Sequence, residues 1–190
     1  MYALSVAELG ILDWIAAHCH TDFLDGFMPF VSSLGNGGMI WIALGLGILL
    51  FHRGQRSTGL QVLLALVLSL ILCNLLLKNG VDRIRPCELN QAVRLLIPCP
   101  RDPSFPSGHT SASFAAVAVL FLRRWRGRWA ALVLAVLIAF SRLYLYVHFP
   151  TDVLGGVIVG SLCGWLAVKG FEKWIAPHWP KGGSRTQRPS

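Results

Sequence analysis

The 190-residue chain is 54% hydrophobic, with a mean hydropathy of +0.58 and only 14% charged residues. That balance excludes an ordinary soluble domain and points to an integral membrane protein of one domain's length. The formal charge of +8 does not imply a nucleic-acid partner, because the basic residues are sorted into connections between long apolar stretches.

The first 25 residues lack a basic start and carry Glu8, Asp13, Asp22 and Asp25, so no secretory signal peptide is evident. Val6, Leu9, Leu12, Ile15 and Ala16 fall roughly on one helical face. This predicts a helix lying along the membrane interface over residues 1–25. His18, Cys19 and His20 are adjacent, and neighbours on a helix point in different directions, so they make a poor metal set.

Charge-free stretches cover residues 26–51, 57–77, 103–122 and 153–168, and residues 129–151 are interrupted only by Arg142 and His148. Most approach the roughly 20 residues that cross a bilayer. The expected fold is therefore all-α: an integral membrane bundle of about five transmembrane helices over 26–175, plus the interfacial helix. Leu34-Gly35-Asn36-Gly37-Gly38 precedes the first span; it either brings backbone close to another group or simply breaks the helix, and the second reading is preferred. Arg53, Arg56, the four arginines between 123 and 128, and the basic residues after 168 all fall on one side. That side has eleven basic residues against Glu172 alone, and the other has six against eight acids. By the positive-inside rule the first side, with the C-terminus, is cytoplasmic.

The loop 79–101 is the longest connection, and with its flanks it carries Lys78, Arg83, Arg85, Arg94 and Arg101 on the side where basic residues are disfavoured. Local neutralisation by Asp82, Glu88 and Asp102, lipid headgroups, or an anionic substrate would each compensate them. Cys87 and Cys99 share this loop, where an oxidising compartment permits a disulfide worth about 3 kcal/mol in the chain-entropy model. Cys73 and Cys163 lie within spans as small apolar packing residues.

Pro106-Ser107-Gly108-His109 then opens the third span. Ser107 is placed to cap a helix whose first N–H groups lack internal partners, Gly108 lets an anion approach the backbone, and His109 titrates near neutral pH. On these four residues alone, an ordinary capped helix with an interfacial histidine is the preferred reading. In the fourth span Arg142 follows thirteen uncharged residues, and an arginine there is costly unless paired or facing a polar cavity. Pro150 should end that span, with Thr151 or Asp152 capping the fifth, so that His148 and Asp152 face each other across a tight turn. Asp152 would then accept a proton from one imidazole nitrogen and leave the other as nucleophile or base. Gly155, Gly156, Gly160 and Gly164 suit close helix packing within the bundle. Residues 177–190 are basic and rich in Gly, Pro and Ser, the composition of a disordered tail.

Taken together, Lys78-Asn-Gly-Val-Asp-Arg-Ile-Arg85-Pro86, Pro106-Ser107-Gly108-His109 and Ser141-Arg142 through His148 and Asp152 resemble, with every spacing matched, the three signatures of the membrane-bound type 2 phosphatidic acid phosphatases. The resemblance implies that residues 1–176 form one phosphatase domain. It further implies that His148 attacks phosphorus to form a phosphohistidine, that Asp152 fixes its tautomer, and that His109 protonates the leaving oxygen. Lys78, Arg85, Ser107, Gly108 and Arg142 would hold the phosphoryl oxygens. It implies no metal and no other cofactor, a membrane lipid phosphate as substrate within the bilayer, and no particular oligomeric state. With its small size, short loops and outward-facing site the chain resembles bacterial members of that family that act on undecaprenyl diphosphate, which the resemblance therefore implies as substrate; phosphatidic acid, phosphatidylglycerol phosphate and lipid A phosphates are alternatives, as is a non-catalytic anionic-lipid binder. The two-histidine scheme predicts a rate maximum near the two histidine pKa values.

Overall fold

Apolar runs broken by Gly, Pro and polar clusters fold as a succession of helices, and no strand occurs among the described residues. The computed structural model describes residues 2–179. In chain order the α-helices are α1 (Tyr2–His18), α2 (Asp22–Leu34), α3 (Met39–Phe51), α4 (Arg56–Ser69), α5 (Lys78–Val81), α6 (Pro86–Leu89), α7 (Gly108–Leu122), α8 (Arg128–Tyr144) and α9 (Pro150–Gly170). A π-helical stretch, Leu70–Leu77, joins α4 to α5 without a break, and a 3-10 turn, Asn36–Gly38, joins α2 to α3.

The bundle is centred on α7. It packs most extensively on α9 and also meets α4 and α8, while α3 lies against α4, α2 against α8, and α1 across α8. Trp41, Val62, Ala115, Val119, Leu120, Ile138 and Cys163 fill the core between these helices. The α7–α9 approach depends on missing side chains: a Cβ on Gly156 would lie 2.8 Å from the Ser107 carbonyl oxygen, one on Gly164 2.6 Å from that of Ala115, and one on Gly160 would overlap the Ser111 carbonyl. The glycine stripe thus packs inside the bundle, and the start of α7 is pinned to the start of α9.

Among the described residues two helical stretches, Arg53–Leu89 and Pro150–His178, are long and apolar enough to cross a membrane by themselves. The pair Asp22–Leu34 and Asn36–Phe51, bent by 47°, makes a third if counted as one span. By length and composition alone this gives two or three spans among the described residues, where the sequence reading expects about five. The 15 residues of α7 extend only about 22 Å at 1.5 Å per residue, short of a roughly 30 Å hydrocarbon core, and α8 carries Arg128 and Arg142 within its 17 residues.

The structure adjusts three local readings. The buried side of α1 carries Leu12 and Ile15, with Leu9 and Ala16 half-buried, as the apolar stripe predicts, whereas Val6 is exposed; the same side also turns Ser5 and the Glu8 carboxylate inward. Helix α8 ends at Tyr144, six residues before Pro150, and Pro150 instead opens α9 at its first position. The α9 cap is Phe149, whose backbone N–H donates to the Asp152 carboxylate at 2.8 Å. Cys87 and Cys99 are joined as a disulfide. Of the tail expected from Pro177 on, a 3-10 turn covers Ala176–His178, and residues 180–190 lie outside the described residues.

Candidate active site

The three motif regions meet at one end of α7. Ser107 caps that helix, its hydroxyl accepting from Thr110 N at 3.5 Å and Thr110 Oγ1 at 3.0 Å, while Ser107 N donates to the Asp152 carbonyl at 3.0 Å. This backbone bond fastens the second motif to the third. Next to it lies a cavity of about 480 Å³, lined by Lys78, Arg85, Asp102, Gly108, His109, Arg142 and His148 at its polar end and by Ile42, Leu63, Leu66, Val67 and Leu70 farther along.

His148 sits in the connection between α8 and α9 with its ring fully buried. Its Nε2 is 3.2 Å from Arg85 Nη1, and that same nitrogen donates to the Val147 carbonyl at 2.7 Å. Its Nδ1 is 3.5 Å from Asp152 Oδ2, an ion-pair separation rather than the expected hydrogen bond. The reason is that the carboxylate is already engaged: Arg83 Nη1 donates to Oδ1 at 2.6 Å, and Ser104 Oγ and Phe149 N donate to Oδ2. Burial, and then the charges of Arg85, Arg142 and Lys78, hold the His148 imidazole well below its ordinary pKa of 6.5. The ring is therefore neutral at physiological pH, with Nε2 facing the Arg85 guanidinium and Nδ1 facing Asp152.

Of the eight residues singled out by sequence, Lys78, Arg85, Gly108, His109, Arg142 and His148 line the cavity, and Ser107 and Asp152 stand behind them. Arg142 donates to Ser32 Oγ at 2.5 Å, its Nε is buried without a hydrogen-bond partner, and no carboxylate pairs with it among the described residues. An arginine in that state is a ready partner for an anion. Lys78 and Arg85 instead share Asp102: Lys78 Nζ donates to Oδ2, and Arg85 Nη2 to Oδ1 at 2.9 Å. Burial pushes the Asp102 carboxyl up, but the two cations outweigh it and bring its pKa down to about 2.

The structure also brings to this site residues that the sequence reading gave no role. His109 Nε2 is 2.9 Å from Asn36 Oδ1, and a Cβ on Gly35 would lie 2.8 Å from the same ring. The Gly-rich turn thus brings backbone against a histidine, with Gly37 and Gly38 at φ of 58° and 71°, and is more than a helix break. Its glycine density was the available signal. Arg83, assigned no role from its position outside the motif, bonds Asp152 and Glu8. Asn74, on the π-helical stretch, presents a buried Oδ1 without a partner to the same cavity. Among the described residues no group of three His, Cys, Asp or Glu side chains is arranged to hold a metal ion.

The profile of the PAP2 superfamily matches residues 58–176. The chain belongs to the PAP2 superfamily. With that membership it is a PAP2-type lipid phosphatase. Among PAP2 relatives, an undecaprenyl-diphosphatase of Sulfolobus acidocaldarius is 32% identical over 147 residues, 77% of this chain and 70% of its own. The undecaprenyl-diphosphatase BcrC of Bacillus subtilis is 32% identical over 161 residues, 83% and 80% of the two chains. The crystal structure of a transmembrane PAP2 type phosphatidylglycerolphosphate phosphatase from Bacillus subtilis superposes with a TM-score of 0.72 at 28% identity, covering 92% of this chain and 89% of that one.

Proposed function

We propose that this PAP2 protein releases phosphate from a membrane lipid through a phosphohistidine on His148, without a metal, and that its substrate is undecaprenyl diphosphate. The observation that carries the reading is the cavity itself. Three cations and a helix start converge on a neutral, buried imidazole at one end, and an apolar wall continues from them at the other, as a phosphate on a long hydrocarbon requires. The two undecaprenyl-diphosphatase relatives support the choice of lipid.

In the proposed sequence His148 Nε2 attacks phosphorus, the bond from phosphorus to the bridging oxygen breaks, and His109 gives that oxygen its proton. Lys78, Arg85, Arg142 and the Gly108 N–H hold the phosphoryl oxygens. The Ser107 hydroxyl accepts from Thr110, which leaves its own proton to donate there too. Asp152 balances the charge that develops on the His148 ring. Water then attacks phosphorus as His109 takes its proton, the phosphorus–nitrogen bond breaks to restore the neutral His148 ring, and inorganic phosphate leaves.

Five spans, with α7 and α8 as short crossings, would put this cavity on the extracytoplasmic face and the C-terminus in the cytoplasm. The opposed charge balance of the two sides supports that orientation. Residues 1–176 act as one unit in this reading, because α1 contributes to the wall behind Asp152.

A second reading, phosphatidylglycerol phosphate as substrate, is favoured by the likeness to the solved phosphatidylglycerolphosphate phosphatase. The test is phosphate release in detergent with EDTA from undecaprenyl diphosphate, phosphatidylglycerol phosphate and phosphatidic acid at equal concentration. The proposal predicts preference for the isoprenoid in kcat/KM; preference for a glycerolipid would reassign the substrate.

A further inference from the structure

Behind the His148 dyad lies a buried ion cluster that the three motifs do not contain. Arg83 is its centre. One terminal nitrogen, Nη1, donates to Asp152 Oδ1 at 2.6 Å and Thr151 Oγ1 at 2.7 Å; the other, Nη2, donates to Glu8 Oε2 at 2.5 Å and Ser5 Oγ at 2.9 Å. Its carbon lies 4.1 Å from the Phe149 ring centre. Glu8 also accepts from Thr151 N at 2.7 Å and Thr151 Oγ1 at 2.9 Å. The side chains of Arg83, Glu8 and Asp152 are 5%, 7% and 0% exposed.

Two consequences follow from this geometry. Glu8 grips the first turn of α9 through Thr151, the residue before Asp152, so the carboxylate is held from the backbone as well as from its own oxygens. The charges also matter. An arginine 2.6 Å from Asp152 would by itself cancel the carboxylate that faces His148, and in a buried setting that cancellation is strong. Glu8 on the other fork of the same guanidinium restores one net negative charge behind the imidazole.

We propose that Glu8 of the N-terminal helix is a positioning residue for the reaction, acting through Arg83 and Thr151 to keep Asp152 oriented and effectively charged as His148 becomes cationic. Glu8 lies outside the matched segment 58–176, so α1 is part of the catalytic apparatus rather than a membrane anchor alone. This rests on the phosphohistidine reading of the site.

The test is Glu8→Gln, which keeps shape and removes charge, compared with Glu8→Asp in the full-length protein. The expected result is a fall in kcat of about tenfold or more with KM within about twofold, and partial recovery in Glu8→Asp. The acid limb of kcat/KM should also move to lower pH, because the ring loses a nearby negative charge. The groups facing His148, namely Arg85, Arg142, Lys78, Asp102, Asp152 and His109, are untouched by the substitution. A folded Glu8→Gln protein with wild-type kcat and pH profile overturns the proposal, as does an equal loss in Glu8→Asp. Should Glu8→Gln fail to fold, Thr151→Val removes one link to Glu8 and is expected to lower kcat in the same way; wild-type kcat there overturns the proposal. Nitrogen-15 NMR of the histidines needs no substrate: a His148 Nδ1–H signal that shifts in Glu8→Gln supports the role of Glu8 even in an inactive protein, and an unshifted one rejects it. Loss of the phosphohistidine reading would appear separately, as wild-type turnover retained in His148→Ala.

Discussion

Asp102 holds Arg85 by both side chain and backbone: its Oδ1 accepts from Nη2 at 2.9 Å and its carbonyl from Nε at 2.7 Å. The same carboxylate takes Lys78, so one internal anion engages two of the three cations proposed for the phosphoryl group. Its side chain is 52% exposed and can swing away. A phosphate must compete with it. Asp102→Asn is therefore expected to lower KM for the lipid and the inhibition constant for inorganic phosphate, each by about three- to tenfold. Steady-state kinetics with phosphate titration checks this; unchanged constants would remove Asp102 from the account.

His109 depends on the turn before α3. Asn36→Ala removes the Oδ1 partner of its Nε2, and Gly35→Ala places a methyl 2.8 Å from the ring and 3.0 Å from Ile138. Both should lower kcat by about tenfold or more while the protein stays folded, since only the orientation of the proton donor is lost. Activity and thermal unfolding measured on the same preparations separate that outcome from general destabilisation.

Much of this site was legible beforehand because each motif is local: a cap before an apolar helix, an arginine in an apolar run, a histidine four residues before an aspartate. What was not legible is what distant segments supply. Asn36 reaches His109 across 73 residues and Glu8 reaches Arg83 across 75, and no periodicity encodes such a meeting. The apolar stripe of α1 likewise gave no hint that Glu8 turns inward with it, to meet Arg83 and Thr151. The span count followed apolar length, which does not register that α7 is short and centred among other helices.

The pH dependence has a definite sign. Because His148 is held well below its ordinary 6.5, it stays neutral under mildly acidic conditions, and the acid limb of kcat/KM should lie well below that value rather than near it. Stability behaves accordingly. Below about pH 6.5 the unfolded chain gains a proton on this residue that the folded chain refuses, so stability falls as pH drops. Asp102 adds to the loss: its pKa goes from an ordinary 3.8 to about 2, so its contribution is present above about pH 4 and disappears as pH falls towards 2. Unfolding temperatures in detergent from pH 8 to 3 should decline monotonically; a rise on acidification would contradict the assignment.

Gly160 tests the packing that joins the motifs. A Cβ there overlaps the Ser111 carbonyl, and Gly160→Ala is expected to destabilise the bundle by about 1–3 kcal/mol. Gly47, with nothing within 4 Å of an added Cβ, is the control. Thermal unfolding of the two variants side by side reads the difference.

The central claim is that His148 carries the phosphoryl group. Its most direct measurement is trapping of protein-bound label in an alkaline detergent quench during turnover of terminally labelled undecaprenyl diphosphate, followed by peptide mapping at alkaline pH. The account predicts an alkali-stable, acid-labile phosphate on the peptide containing His148, absent in His148→Ala together with nearly all phosphate release. Turnover that persists in His148→Ala, or label recovered on another residue, would contradict it.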